Sequence, residues 1–238
     1  MVRIIHRRGA VTLAIVVLVL TSAAFSVSKP HVVVFGKWTS VQWFPDSGAG
    51  DKPHTLKVRA LLVDARVKEF TVGPAHDVTE RLFVVQRAFR INDSLPQESE
   101  SLPRWQWQEG GWLLVDRVSG HVSAINLPDF DVLHSAVSWY RDYAAYCGVS
   151  DDGKKVHAVV AQLNRRKAVL KKAFESVSMG EGEATNAAPD VACPVPEWQR
   201  APVRVTFDPP NGAKQTFAIR GHAADLVSED EDDEEASR

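Results

Sequence analysis

The sequence predicts a mainly β protein built from antiparallel strands, and three observations carry that expectation. Apolar residues alternate with polar ones at period two through most of the chain, and β-branched residues are frequent within the alternating runs. Almost no segment carries an apolar period of 3.6 with helix caps. The runs are separated by short breaks rich in Gly, Asp, Asn and Pro, the residues that tight turns require. The expected architecture is antiparallel meanders forming a sandwich, a partial barrel or propeller-blade-like sheets, preceded by an N-terminal signal or anchor helix.

Taken in order, residues 31–36 and 40–44 read as two short strands, followed by a Gly- and Asp-rich loop at 45–53. Residues 56–62 and 67–72 form a hairpin about Asp64-Ala65-Arg66, and 81–91 reads as another strand. After a polar loop at 92–103, segments 105–108, 112–116 and 121–127 read as a three-stranded meander, with Glu109-Gly110-Gly111 as its first turn. Segments 132–139, 143–149, 156–163 and 168–174 continue the pattern. Ser150-Asp151-Asp152-Gly153-Lys154 and Asn164-Arg165-Arg166-Lys167 serve as turns. Residues 203–207 and 215–219 flank Pro210-Asn211-Gly212, a strong hairpin signal.

Within this pattern, the segment 137–170 with its Val149-Ser150-Asp151-Asp152-Gly153-Lys154-Lys155 turn resembles a blade of the TolB-like β-propellers. Those blades set a Ser-x-Asp-Gly-Lys turn between an apolar and a Val-rich strand. Residues 112–127 resemble part of a preceding blade. The resemblance implies four-stranded antiparallel sheets. Only two or three such units fit the chain, short of the roughly four to eight blades of a closed propeller.

The predicted organisation has five parts. Residues 1–28 are a signal peptide or signal-anchor, 31–174 an antiparallel β domain, and 175–200 a flexible linker with a Pro-rich loop around Cys193. A C-terminal hairpin spans 201–221, and 222–238 form an acidic tail. At the N-terminus, Arg3, Arg7 and Arg8 precede an apolar core from Ala10 to Leu20, and Thr21-Ser22-Ala23-Ala24 is small. Eleven apolar residues are too few to cross a bilayer core of ~30 Å as a helix. Counting from Gly9 to Val27 gives enough, so cleavage and retention as an anchor both stand as readings. Either places the rest of the chain in an exported compartment, periplasmic or extracellular, with membrane contact only through this segment if it is uncleaved.

Export alters the reading of the two cysteines. In an oxidising compartment Cys147 and Cys193 are expected to pair, closing a loop of about 46 residues. The net charge of -2 divides unevenly. The export segment is cationic, Glu229 to Glu235 is a run of acids, and the rest is close to neutral. No overall basic excess points to nucleic acid.

The eight His stand apart, without the i, i+4 or i, i+2 spacing of a zinc site, and no nucleophile elbow, phosphate loop or dinucleotide fingerprint is present. No catalytic residue, metal or cofactor is therefore expected. The candidate binding residues are aromatic and basic. Trp105 and Trp107, two apart, share one strand face, and Trp112 is expected on the neighbouring strand. They serve either as core or as a stacking platform for a glycan or extended peptide. Arg165, Arg166 and Lys167 make a basic turn that either protects a sheet edge or meets an anionic partner. The functional expectation is an exported, non-enzymatic binding or scaffolding module whose partner is a protein or cell-envelope component. The competing expectation is an exported hydrolase with a site assembled from loop acids such as Asp129 and Asp131 beside His134.

Overall fold

A computed structural model describes residues 30–43, 54–92, 105–150, 155–174, 193–209 and 213–227. The predicted N-terminal signal or anchor helix, the turn at 151–154, most of the linker and the acid run lie outside these residues. Residues Met1–Pro30 and His31–Arg238 form separate units. The described residues of the second unit form fifteen strands and no helix, in antiparallel sheets with a single parallel contact.

The first sheet contains β1 (Val33–Phe35), β2 (Thr39–Trp43), β3 (His54–Val63), β4 (Arg66–Asp77), β5 (Leu82–Asn92), β6 (Trp105–Asp116) and β7 (Val122–Ile125). Its pairings run β3–β2–β6–β5–β4 and return from β4 to β3, so five strands close on themselves. An odd number of strands cannot alternate direction all the way round, and the closing β2–β6 contact, Trp43 opposite Trp107, is the parallel one. β1 continues past β2 along the edge of β3, and β7 lies on β6. Leu61, Phe83, Val85, Leu113 and Val115 make one buried cluster of this sheet, and Leu56, Val58, Val72 and Ala88 another.

Two of the three register shifts in this sheet shape the site. On β4, Val72 faces Gln86 but His76 faces Val84, so four residues of β4 are matched to two of β5. Pro74 cannot donate to a ladder and Gly73 adopts φ +63°, which together place the bulge here. The second departure corrects the expected meander. Residues 105–116 are one strand, because β6 pairs with β5 from Leu82↔Asp116 to Asn92↔Trp105. Glu109-Gly110-Gly111 is a bulge in that ladder, where three residues of β6 match two of β5. Glycine in a strand signals a turn and a bulge alike, and the long partner strand decides for the bulge.

The second sheet is a meander of β8 (Ser138–Tyr140), β9 (Tyr143–Val149), β10 (Val156–Gln162) and β11 (Leu170–Ala173). Of the expected 132–139 strand, only its last residues are extended. Asp131 accepts the amides of Leu133 and His134 at 2.8 and 3.1 Å and holds the preceding residues in a turn. The third sheet is β12 (Glu197–Arg200), β13 (Val203–Phe207), β14 (Gln215–Arg220) and β15 (Ala223–Leu226). The expected C-terminal hairpin is thus its centre. The outer strands, expected as linker and tail, are four residues long and lack alternation.

β9 and β10 are buried on both faces. Ala145, Cys147, Val149, Val156, Ala158 and Val160 pack against Val205, Phe207, Phe217 and Ile219 of the third sheet. Ala144, Tyr146, Val159 and Ala161 turn the other way, towards Leu127, Trp112 and Ile125. Polar bolts add to the packing: Trp198 Nε1 donates to Ser138 O at 3.2 Å and Tyr143 Oη to Gly221 O at 2.7 Å. Cys147 and Cys193 form a disulfide inside this core, with Cα atoms 6.0 Å apart.

Replacing both cysteines by alanine is expected to lower stability by about 3–4 kcal/mol, the chain-entropy value for this loop, read from denaturant unfolding under oxidising conditions. Gly120 has φ +64°, and an added Cβ would stand 2.6 Å from Val63 Cγ1. Gly120→Ala is therefore expected to cost about 2–4 kcal/mol in the same assay, from left-handed strain and overpacking together.

Candidate functional site

The expected platform is divided by the β6 bulge. Trp105 is 58% exposed at the start of β6. Trp107 packs edge-to-face on Phe70 with centroids 5.1 Å apart, and the Arg90 guanidinium lies over both indoles, Trp105 at 5.6 Å and Trp107 at 5.4 Å. Trp112, beyond the bulge, belongs to a different group and meets Trp139 edge-to-face at 5.2 Å. Arg165, Arg166 and Lys167 are exposed in the β10–β11 turn, and none enters an ion pair among the described residues.

The loop acids have separate employments. Asp131 Oδ1 accepts from His134 Nδ1 at 2.9 Å as well as from the turn amides. Burial pushes its carboxyl up, but the His134 and amide hydrogen bonds outweigh this and hold it below the ordinary value. Asp129 turns to Lys171 at 2.6 Å, with His157 at 3.9 Å. Burial, assisted by Lys171, holds the His157 pKa below its ordinary value. These contacts are a turn cap and a salt bridge that joins a loop to β11.

A cleft of about 660 Å³ lies between the first sheet and the 132–139 segment. The β4 bulge forms one wall with Gly73-Pro74-Ala75. The opposite wall is fixed by Ser135, whose hydroxyl donates to Cys147 O at 2.7 Å and whose amide donates to Asp131 O at 2.8 Å. Along the cleft His76 stacks on Trp139 at 6.0 Å with 22° between planes, and Trp139 meets Trp112. Trp43 and Val195 complete the apolar lining. The indole nitrogens of Trp112 and Trp139 are buried without an acceptor among the described residues, and ring contacts hold these side chains. His76 Nε2 lies 2.9 Å from Arg141 O. A carbonyl only accepts, so Nε2 carries the proton and Nδ1 keeps its lone pair in the neutral ring.

Glu109 brings charge to this apolar cleft. Burial pushes its carboxyl pKa up, and a hydrogen bond with the Gln86 side chain opposes this only in part. Gln86 also donates to Gly110 O at 3.3 Å and stands across the ladder from Trp112. No cation pairs with Glu109 among the described residues. A smaller hollow of about 300 Å³ shares Trp43, Glu109, Val132 and Leu133, and so extends the groove past the carboxyl. Sequence reasoning misses His76, Gln86, Glu109 and Trp139 as a group. Their one local signal is the Gly110-Gly111 pair, which suggests a turn as readily as a bulge. No group of three His, Cys, Asp or Glu able to hold a metal ion occurs among the described residues.

The chain matches no protein-family model, no curated protein and no solved structure at a significant level.

Glu109 has a direct consequence for stability. The unfolded chain releases the Glu109 proton near the ordinary value of ~4.3, whereas the fold resists release until a higher pH. Stability is therefore lost as pH rises from the ordinary value through the raised one. Glu109→Gln does not titrate. Its melting temperature should match the parent near pH 3, rise above it through that interval, and keep the advantage at neutral pH.

Proposed function

We propose that this chain is an exported, non-enzymatic binding module that seats part of a protein or cell-envelope component in the tryptophan cleft. The observation that carries the reading is Glu109, a partly desolvated carboxyl without a cation among the described residues, in a groove walled by Trp43, Trp112 and Trp139. An organic cation on an apolar stem suits such a place, because the rings attract it through their faces and the carboxyl supplies the counter-charge. The ligand is accordingly a segment presenting a lysine, arginine or similar ammonium group beside apolar atoms. The stacked meanders, 138–173 and 197–226, act as blade-like supports that hold Trp139 and the 132–137 wall in place. Export is supported by the pattern of residues 1–28 and by the Cys147–Cys193 disulfide, which suits an oxidising compartment.

The test is a titration of lysine- and arginine-bearing peptides into the full chain, read by tryptophan emission. Saturable binding is expected, weakened at least about tenfold by Glu109→Gln and by Trp139→Ala, with circular dichroism confirming that both variants are folded. Equal binding by parent and variants would refute the cleft as the site.

A further inference from the structure

The Gly73-Pro74-Ala75 bulge has a second side. It also borders a wider cleft of about 910 Å³, whose other residues include Phe35, Trp38, Lys57, Arg59, Asp77 and Arg117. The two basic residues of β3, Lys57 and Arg59, are two apart and project to the same side. The Arg59 guanidinium lies over two rings, its carbon 3.7 Å from the Phe35 centroid and 4.3 Å from that of Trp38. Its donors are largely unspent. Nε is buried with no partner, Nη2 reaches Gly73 O only at 3.5 Å, and no carboxylate pairs with it among the described residues. Burial lowers its pKa from the ordinary arginine value, the mark of a cation that has lost water without gaining an anion. Arg117 is the contrast within the same cleft. It pairs with Asp77 at 2.6 Å and donates to Glu80 O at 3.2 Å.

We propose that Arg59, flanked by Lys57 and Trp38, is a second binding site, and that its ligand is a carboxylate of an acidic peptide segment. The charges facing the cleft among the described residues are Lys57, Arg59, Arg117 and Asp77, so one salt-bridged pair leaves two cations for the ligand. A guanidinium held against two rings has lost rotamer freedom beforehand and offers a planar fork that matches a carboxylate. Two features favour a peptide carboxylate over a phosphate. Trp38 is 47% exposed and gives an apolar wall that a side-chain stem can cover, and Asp77 on the rim repels a dianion more than a monoanion. The site does not depend on the tryptophan cleft, which lies across the bulge and has the opposite electrostatic character.

The experiment titrates a short peptide of alternating glutamate and leucine into the full chain at low and moderate salt. Binding is read by calorimetry and by the emission change that Trp38→Phe removes. Saturable binding is expected that weakens with salt and falls at least tenfold in Arg59→Lys, which keeps the charge but loses the fork and the stacking. Lys57→Ala, at an exposed position, should lose about threefold, and Trp139→Ala should leave this binding unchanged. Equal affinity for parent, Arg59→Lys and Lys57→Ala would overturn the proposal. So would displacement of the peptide by an equal concentration of inorganic phosphate, since that marks a general anion site.

Discussion

The burial of β9 and β10, the central strands of the second sheet, on both faces is the constraint on which the rest depends. β9 and β10 have no solvent face, so every second residue must satisfy a different neighbour. Small and β-branched side chains make this possible. Ala145, Cys147, Ala158 and Val160 admit the third sheet, while Ala144, Tyr146 and Val159 admit Trp112 and Phe130. Tyr146 is fully buried, and its hydroxyl donates to Pro128 O at 2.5 Å, which anchors the loop leading to the cleft. Burial raises its pKa far above the ordinary tyrosine value, so it stays a protonated donor throughout the physiological range. The disulfide adds a covalent tie on the opposite face of the same sheet.

That rigid middle layer explains how a cleft can persist beside it. Trp139 comes from β8, Ser135 is bolted to β9, and His76 donates to Arg141 between β8 and β9. The far wall comes from irregularities in the first sheet. The β4 bulge pushes Gly73-Pro74-Ala75 out of the ladder, and the β6 bulge brings Glu109 and Trp112 to the same groove. Bulges of this kind re-aim side chains at sheet surfaces. Here one of them divides two clefts of opposite character, with the Glu109 carboxyl on one side and the Arg59 guanidinium on the other. Elsewhere in that sheet Arg81 and Asp116 form an ion pair. Asp116 accepts from Arg81 and from the amides of Val118 and Ser119, which hold its carboxyl well below the ordinary range.

The class of fold is legible in the sequence because period-two alternation is a local property. Runs such as Leu56-Lys57-Val58-Arg59 and Val203-Arg204-Val205 show which residues turn inwards. The disulfide is legible because the chain has only two cysteines. Other features depend on non-local pairing. Glu109-Gly110-Gly111 is a bulge only because β5 is long enough to pair on both sides of it. β12 and β15 are strands only because β13 and β14 offer their edges. The cleft is illegible for the same reason. Trp43, His76, Glu109 and Trp139 lie on four different strands, and no spacing along the chain links them. Of the aromatic candidates read from sequence, Trp112 joins the cleft, whereas Trp105 and Trp107 form a separate ladder with Arg90.

The most direct test of the binding reading is hydrogen exchange of the full chain with and without a basic partner peptide. Slowed exchange confined to 72–76, 109–112 and 131–139, and absent in Glu109→Gln, is the expected result. Protection that falls elsewhere, or that persists unchanged in Glu109→Gln, would contradict a ligand seated in the tryptophan cleft.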